Sequence, residues 1–116
     1  MSKELQLAIE YFELSNKSDF SKIEILFADN ATFCNRYGEF FVGVKDIMSM
    51  QKAHHQSYES LHWRIIKAEE VKPRIIRIEF DFNATDLEDN NIQFLGIEHV
   101  IVLNDMILHV DVRQQS

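Results

Sequence analysis

Apolar residues recur at helical spacing over residues 3–15. Leu5, Ala8, Ile9 and Phe12 fall at i, i+3, i+4 and i+7, and Leu7, Tyr11 and Leu14 form a second stripe beside them. So wide an apolar arc predicts a well-buried amphipathic helix. The polar run Asn16-Lys17-Ser18-Asp19 breaks it. Ser18 or Asp19 can cap a short second helix over 20–27, with Ile23, Leu26 and Phe27 inward, and Ser21 with Glu24 fits a capping box. A strand over 31–35, a turn over 36–39 and a return over 40–42 lead to Gly43. A third helix is predicted over 44–58, its inward stripe being Ile47, Met50, His54 and Tyr58.

From there the period changes from helical to two. Strands are predicted over 61–68 and 75–84, joined through a turn over 69–73 that holds the only proline, Pro73. Ile76, Ile78, Phe80 and Phe82 alternate with Arg77, Glu79, Asp81 and Asn83. A polar loop over 86–91 precedes a last hairpin, 92–103 and 106–113, turned by Asn104-Asp105. With a two-residue loop and regular pairing, Val100 faces His109 and Glu98 faces Asp111. One face then carries Glu98, Val100, His109 and Asp111, and the other Ile97, His99, Ile101, Val110 and Val112. The second face is almost wholly apolar and the first is rich in apolar residues, so both need cover. Helices cover one; a second copy of the chain is the simplest cover for the other, which predicts a homodimer packed through the sheet.

A chain of 116 residues fits a single domain over 1–116, able to build a core without staples. Its net charge of −7 argues against binding a nucleic-acid backbone, which calls for a basic surface. One cysteine, Cys34, excludes an internal disulfide framework and fits a reducing compartment. No apolar run approaches the ~18 residues of a membrane span. Met1-Ser2-Lys3-Glu4 shows no secretory leader. The expectation is a soluble cytoplasmic protein.

The order of elements resembles the nuclear transport factor 2-like superfamily, which includes the ketosteroid isomerases, SnoaL-like polyketide cyclases, limonene epoxide hydrolases and scytalone dehydratases. The resemblance rests on the break at 16–19, the run Leu26-Phe27-Ala28-Asp29-Asn30-Ala31-Thr32-Phe33, Gly43 and the last hairpin, and covers nearly the whole chain. It implies an α+β fold in which a cone-shaped, curved antiparallel sheet wraps around three N-terminal helices, leaving a deep cavity. In the isomerase branch, Tyr11 falls at the oxyanion-hole tyrosine and Glu98 at the second oxyanion-hole acid, a carboxylic acid kept neutral so that it donates a hydrogen bond. Asn35 falls at the general-base aspartate, where an amide cannot take a proton. His109-Val110-Asp111 is similar to the His-Trp-Asp pattern of the cyclases, so His109 or Asp111 would replace that base.

The catalytic set so implied is Tyr11, Glu98, Asp111 and His109, moving a proton beside a carbonyl without a cofactor, as in an isomerase, cyclase or dehydratase. The plainer alternative is a non-catalytic pocket or dimerisation module, with Glu98 and Asp111 paired to Arg113, Arg64 or Lys67 and Tyr11 filling the core. A third reading, a protein-interaction module, would place another protein on the apolar sheet face. Asn35, His54, Tyr58 and Trp63 are the expected pocket wall, and the expected ligand is a small apolar molecule. His54 and His55 point about 100° apart on a helix, so they cannot share a metal, and no metal is expected.

Overall fold

Over the residues described by the computed structural model, 1–115, the chain forms three helices and six strands. They are α1 (Lys3–Asn16), α2 (Phe20–Leu26), β1 (Phe27–Cys34), β2 (Phe40–Val42), α3 (Val44–Gln56), β3 (Tyr58–Lys72), β4 (Ile75–Asp86), β5 (Asn91–Leu103) and β6 (Met106–Gln115). The fold is α+β, as the patterning predicts. All six strands join in one sheet of order β2-β1-β6-β5-β4-β3. The sheet is mixed rather than purely antiparallel, because β1 and β6 run parallel while every other neighbour pair is antiparallel. Periodicity is blind to this pairing, which joins residues about as far apart in the chain as the fold allows.

The helices lie on one face of the sheet. Ala8, Tyr11 and Phe12 of α1 and Ile47 and Met48 of α3 are buried together with Ile76, Ile78, Phe80 and Phe82 of β4. Ser2 caps α1, its hydroxyl accepting from the Leu5 N–H at 3.0 Å. Asp19 stands at the N-cap of α2 without a side-chain cap bond. Ser21 lies inside the helix and donates to Asp19 Oδ1 at 3.3 Å, so the predicted capping box does not form. The third helix stops two residues early: the Ser57 hydroxyl and N–H both close onto the His54 carbonyl, and Tyr58 opens β3 opposite Asp86. β3 is longer than predicted, so its connection to β4 shrinks to Pro73-Arg74, with Arg74 at φ +73°.

The end of α1 is tied to edge strand β3. The Asn16 amide donates to the Trp63 carbonyl at 2.9 Å and accepts from the Trp63 N–H at 2.7 Å. That paired bond holds the helix against the strand across 47 residues of sequence.

The last hairpin departs from the predicted register. Asn104 and Asp105 both have positive φ, 53° and 62°, the signature of a type I′ turn. Leu103 pairs with Met106 and Val102 with Ile107, but His109 then pairs with Ile101, leaving Leu108 as an extra residue in β6. Side chains alternate with a period of two, so one extra residue exchanges the faces of everything after it. Asp111 sits opposite His99, and Glu98 opposite Val112. Buried Val110 and half-buried Val112 therefore share the inner face with Glu98 and Val100, and His109 and Asp111 turn to the outer face.

Gly96 marks the tightest approach on the inner face. A Cβ built there would run into the tip of the Phe80 ring, which is itself fully buried and pairs opposite Gly96. Gly96→Ala is expected to destabilise the protein by about 1–3 kcal/mol, the usual range for overpacking a filled core. Urea denaturation checks this, and an unchanged midpoint would mean that Phe80 has room to move.

Candidate functional site

Between α1, α3 and the inner face of the sheet lies a cavity of about 250 Å³. This is near the small end of ligand pockets, which run from roughly 300 Å³ upward. Its wall is mainly aromatic. Trp63 and Phe82 have ring centroids 5.0 Å apart, and Phe82 and Phe94 5.1 Å apart. The period-two pattern of β4 and β5 and the pairing of Trp63 with Phe82 set these rings side by side.

The polar part of the cavity wall is supplied by four buried side chains: Tyr11 and Ser15 from α1, Gln51 from α3 and Glu98 from β5. Gln51 Nε2 donates to the Tyr11 hydroxyl at 2.9 Å. Gln51 Oε1 and Glu98 Oε2 are buried and meet no hydrogen-bond partner. Burial in these apolar surroundings pushes the Glu98 carboxyl up to about 8, with repulsion from Asp111 adding to it. The acid is therefore mostly neutral at pH 7. The Tyr11 hydroxyl is held well above its ordinary value, by burial first and by the charge on Glu98 second.

Of the residues singled out from the sequence, Tyr11, Glu98, Asn35, His54 and Trp63 line this cavity; Asp111, His109 and Tyr58 do not. The extra residue in β6 is the reason for the first two. Asp111 accepts from Arg113 Nε at 3.1 Å, and His109 Nδ1 lies 2.7 Å from Thr32 Oγ1, both on the outer face. Tyr58 stands behind the wall, its ring 5.1 Å from that of His54 and 5.7 Å from that of Phe82.

Asn35 reaches the mouth but is committed to the β1–β2 turn. Its Oδ1 accepts from the N–H groups of Tyr37 and Glu39, and its Nδ2 donates to Glu39 Oε1 at 2.8 Å. Beside it the Arg36 guanidinium stacks between Tyr37 and Phe94, 4.4 and 4.3 Å from the ring centroids. His54 is held below its ordinary value by burial and then by Arg36. His55 is lowered to about 4, by burial and then by His54, so both imidazoles are neutral at pH 7. Among the described residues no three His, Cys, Asp or Glu side chains group as a metal site.

Sequence reasoning passed over Gln51 and Arg36. Ile47, Gln51 and His55 repeat at i+4, a second inward line on α3 beside the stripe through Met50 and His54. A polar residue on that line was the available signal.

No family model matches the sequence, and no curated protein does. Solved structures match over nearly the whole chain. A candidate SnoaL-like polyketide cyclase of Shewanella putrefaciens superposes with a TM-score of 0.88 at 11% identity, over 98% of this chain and 90% of that one. A nuclear transport factor 2-like protein of unknown function from Burkholderia pseudomallei gives 0.88 at 11%, over 99% and 92%. An LEH-like epoxide hydrolase of M. tuberculosis gives 0.85 at 11%, over 97% and 83%. The chain thus has the nuclear transport factor 2-like fold, which carries more than one chemistry at this level of identity. No helix among the described residues is long and apolar enough to cross a membrane.

The raised Glu98 value has a consequence for stability. Between about pH 4.5 and 8 the folded chain holds the Glu98 proton and the unfolded chain releases it. The Glu98 contribution to folding stability should therefore fall as pH rises through that window, by on the order of a few kcal/mol, and level off above it. His54 and His55, held low, act in the opposite sense below about pH 6.5, so the net fall is expected between about pH 6.5 and 8. Glu98→Gln should flatten this slope in denaturation curves recorded across the window. Parallel curves for the two proteins would mean that Glu98 titrates at an ordinary value.

Proposed function

We propose that the protein binds a small, flat, largely apolar compound with an oxygen acceptor at one end, a carbonyl or a ring hydroxyl, held by the neutral carboxyl of Glu98 and the hydroxyl of Tyr11. The carrying observation is Glu98 itself: a buried acid with an unpartnered oxygen in the wall of a mainly aromatic cavity. A neutral carboxyl donates one hydrogen bond and a phenol another, so both suit an oxygen acceptor. The aromatic wall suits a planar body, and the cavity volume favours one or two rings over a four-ring skeleton.

A second reading, a cofactor-independent isomerase, cyclase or dehydratase, draws on the Glu98 value of about 8. An acid poised near the working pH can both give and take a proton. In that reading Glu98 is the buried carboxylic acid of the cavity and works with the neutral imidazoles of His54 and His55 on the same wall, because Asp111 and His109 face away and Asn35 is an amide spent on its turn.

2-Acetylnaphthalene, a two-ring ketone, tests the binding reading by fluorescence or calorimetry. Its affinity for the native chain should be level below pH 8 and fall about tenfold per unit above it, as the donor proton is lost. For Glu98→Gln it should be level throughout. Binding without that break, or no binding, removes the reading; turnover of a ketone substrate that vanishes in Glu98→Gln would promote the second one.

The outer face completes the proposal with a second copy of the chain. Leu95 and Leu103 there are 41% and 39% exposed and flank half-buried Ile97 and Ile101. Sedimentation velocity at high micromolar concentration is expected to give a dimer, and Ile101→Glu a monomer. A native monomer at that concentration would end this part of the proposal.

A further inference from the structure

The polar part of the cavity wall is one acceptor too rich for a plain ketone. Its members are linked: Gln51 donates to the Tyr11 oxygen, and Glu98 lies close enough to raise the Tyr11 value. Tyr11 accepts from Gln51 and keeps its own proton as a donor. Neutral Glu98 has one further proton to give. Both suit an acceptor on a ligand. Gln51 Oε1 is different: it is buried, unpartnered and able only to accept. A ketone bound by Tyr11 and Glu98 would leave that oxygen sealed in without a partner, an arrangement folded proteins avoid.

From this we infer that the ligand's polar end carries a hydrogen-bond donor as well as an acceptor, a phenol or an enol hydroxyl, and that Gln51 is the residue that selects it. The inference deepens the binding reading and rests on it. A ring hydroxyl meets all the groups at once: its oxygen accepts from Tyr11 or Glu98, and its proton goes to Gln51 Oε1. The backbone supports this role. Gln51 sits mid-helix in α3, one turn after fully buried Ile47, and its Nε2 is already fixed by Tyr11, so Oε1 is held in place before a ligand arrives.

The test uses a matched pair, 2-naphthol and 2-methoxynaphthalene, which share the flat body and the acceptor oxygen and differ in the donor proton. The native chain should prefer 2-naphthol by about fivefold, the usual worth of one neutral hydrogen bond. Gln51→Met, similar in shape and unable to accept strongly, should erase the preference while still binding the ether. If that variant folds poorly because the Tyr11 hydroxyl is stranded, Tyr11→Phe/Gln51→Met removes both partners and should restore the native melting temperature. Equal binding of the two probes by the native chain, or a preference that survives in the variants, overturns the inference. It would then leave the pocket reading standing if 2-acetylnaphthalene binds with its break near pH 8. Failure of all three compounds to bind removes the pocket reading and the inference together.

Discussion

One extra residue, Leu108, governs the chemistry of the whole inner surface. With it, β6 presents Val110 and Val112 to the cavity, and Glu98 is the lone buried acid on that face. Without it, Asp111 and His109 would face inward across from Glu98, and the cavity would hold a charged cluster that draws in water. The bulge thus converts a polar strand end into an apolar one at the cost of a local kink. The state of Glu98 follows directly. A carboxyl surrounded by aromatic rings, with another carboxylate just across the sheet, has every reason to keep its proton.

The same apolar surroundings explain why the polar part of the wall is so sparsely bonded. Here α3 brings Gln51 to Tyr11, and the rings of Phe80, Phe82 and Phe94 make up much of the remaining wall. Gly96 is part of this economy of space: its missing side chain lets Phe80 lie against β5, which thickens the wall beside Glu98. The fold is shared with a candidate cyclase and an epoxide hydrolase, and in this chain the polar atoms of its mainly aromatic cavity are few.

Much of this could be read from the chain. The double stripe of α1 placed Tyr11 inward, and the family resemblance placed Glu98 at the cavity, whereas alternation left open which face of its strand was the core side. The bulge could not be read, because periodicity assumes regular pairing and Leu108 is as good a strand residue as its neighbours. Nor could the parallel β1–β6 contact, which depends on tertiary closure. Tyr58 was misplaced by one element because its spacing from His54 suits a helix, while Ser57 ends that helix just before it. Asn35 carried a usable clue: Asn35-Arg36-Tyr37-Gly38, with Asn first and Gly fourth, is a turn pattern, and its amide is spent on that turn.

The bond pair from Asn16 to Trp63 has a consequence beyond holding α1. β3 closes one side of the sheet, and Trp63 would otherwise present both of its main-chain hydrogen-bonding groups at an open border. Such a border is a template on which a stray strand from another molecule can grow. A side-chain amide mimics one peptide unit of that stray strand and occupies its place. The helix end therefore also acts as a stopper, denying foreign strands a foothold at the stretch of edge that backs the aromatic wall of the cavity.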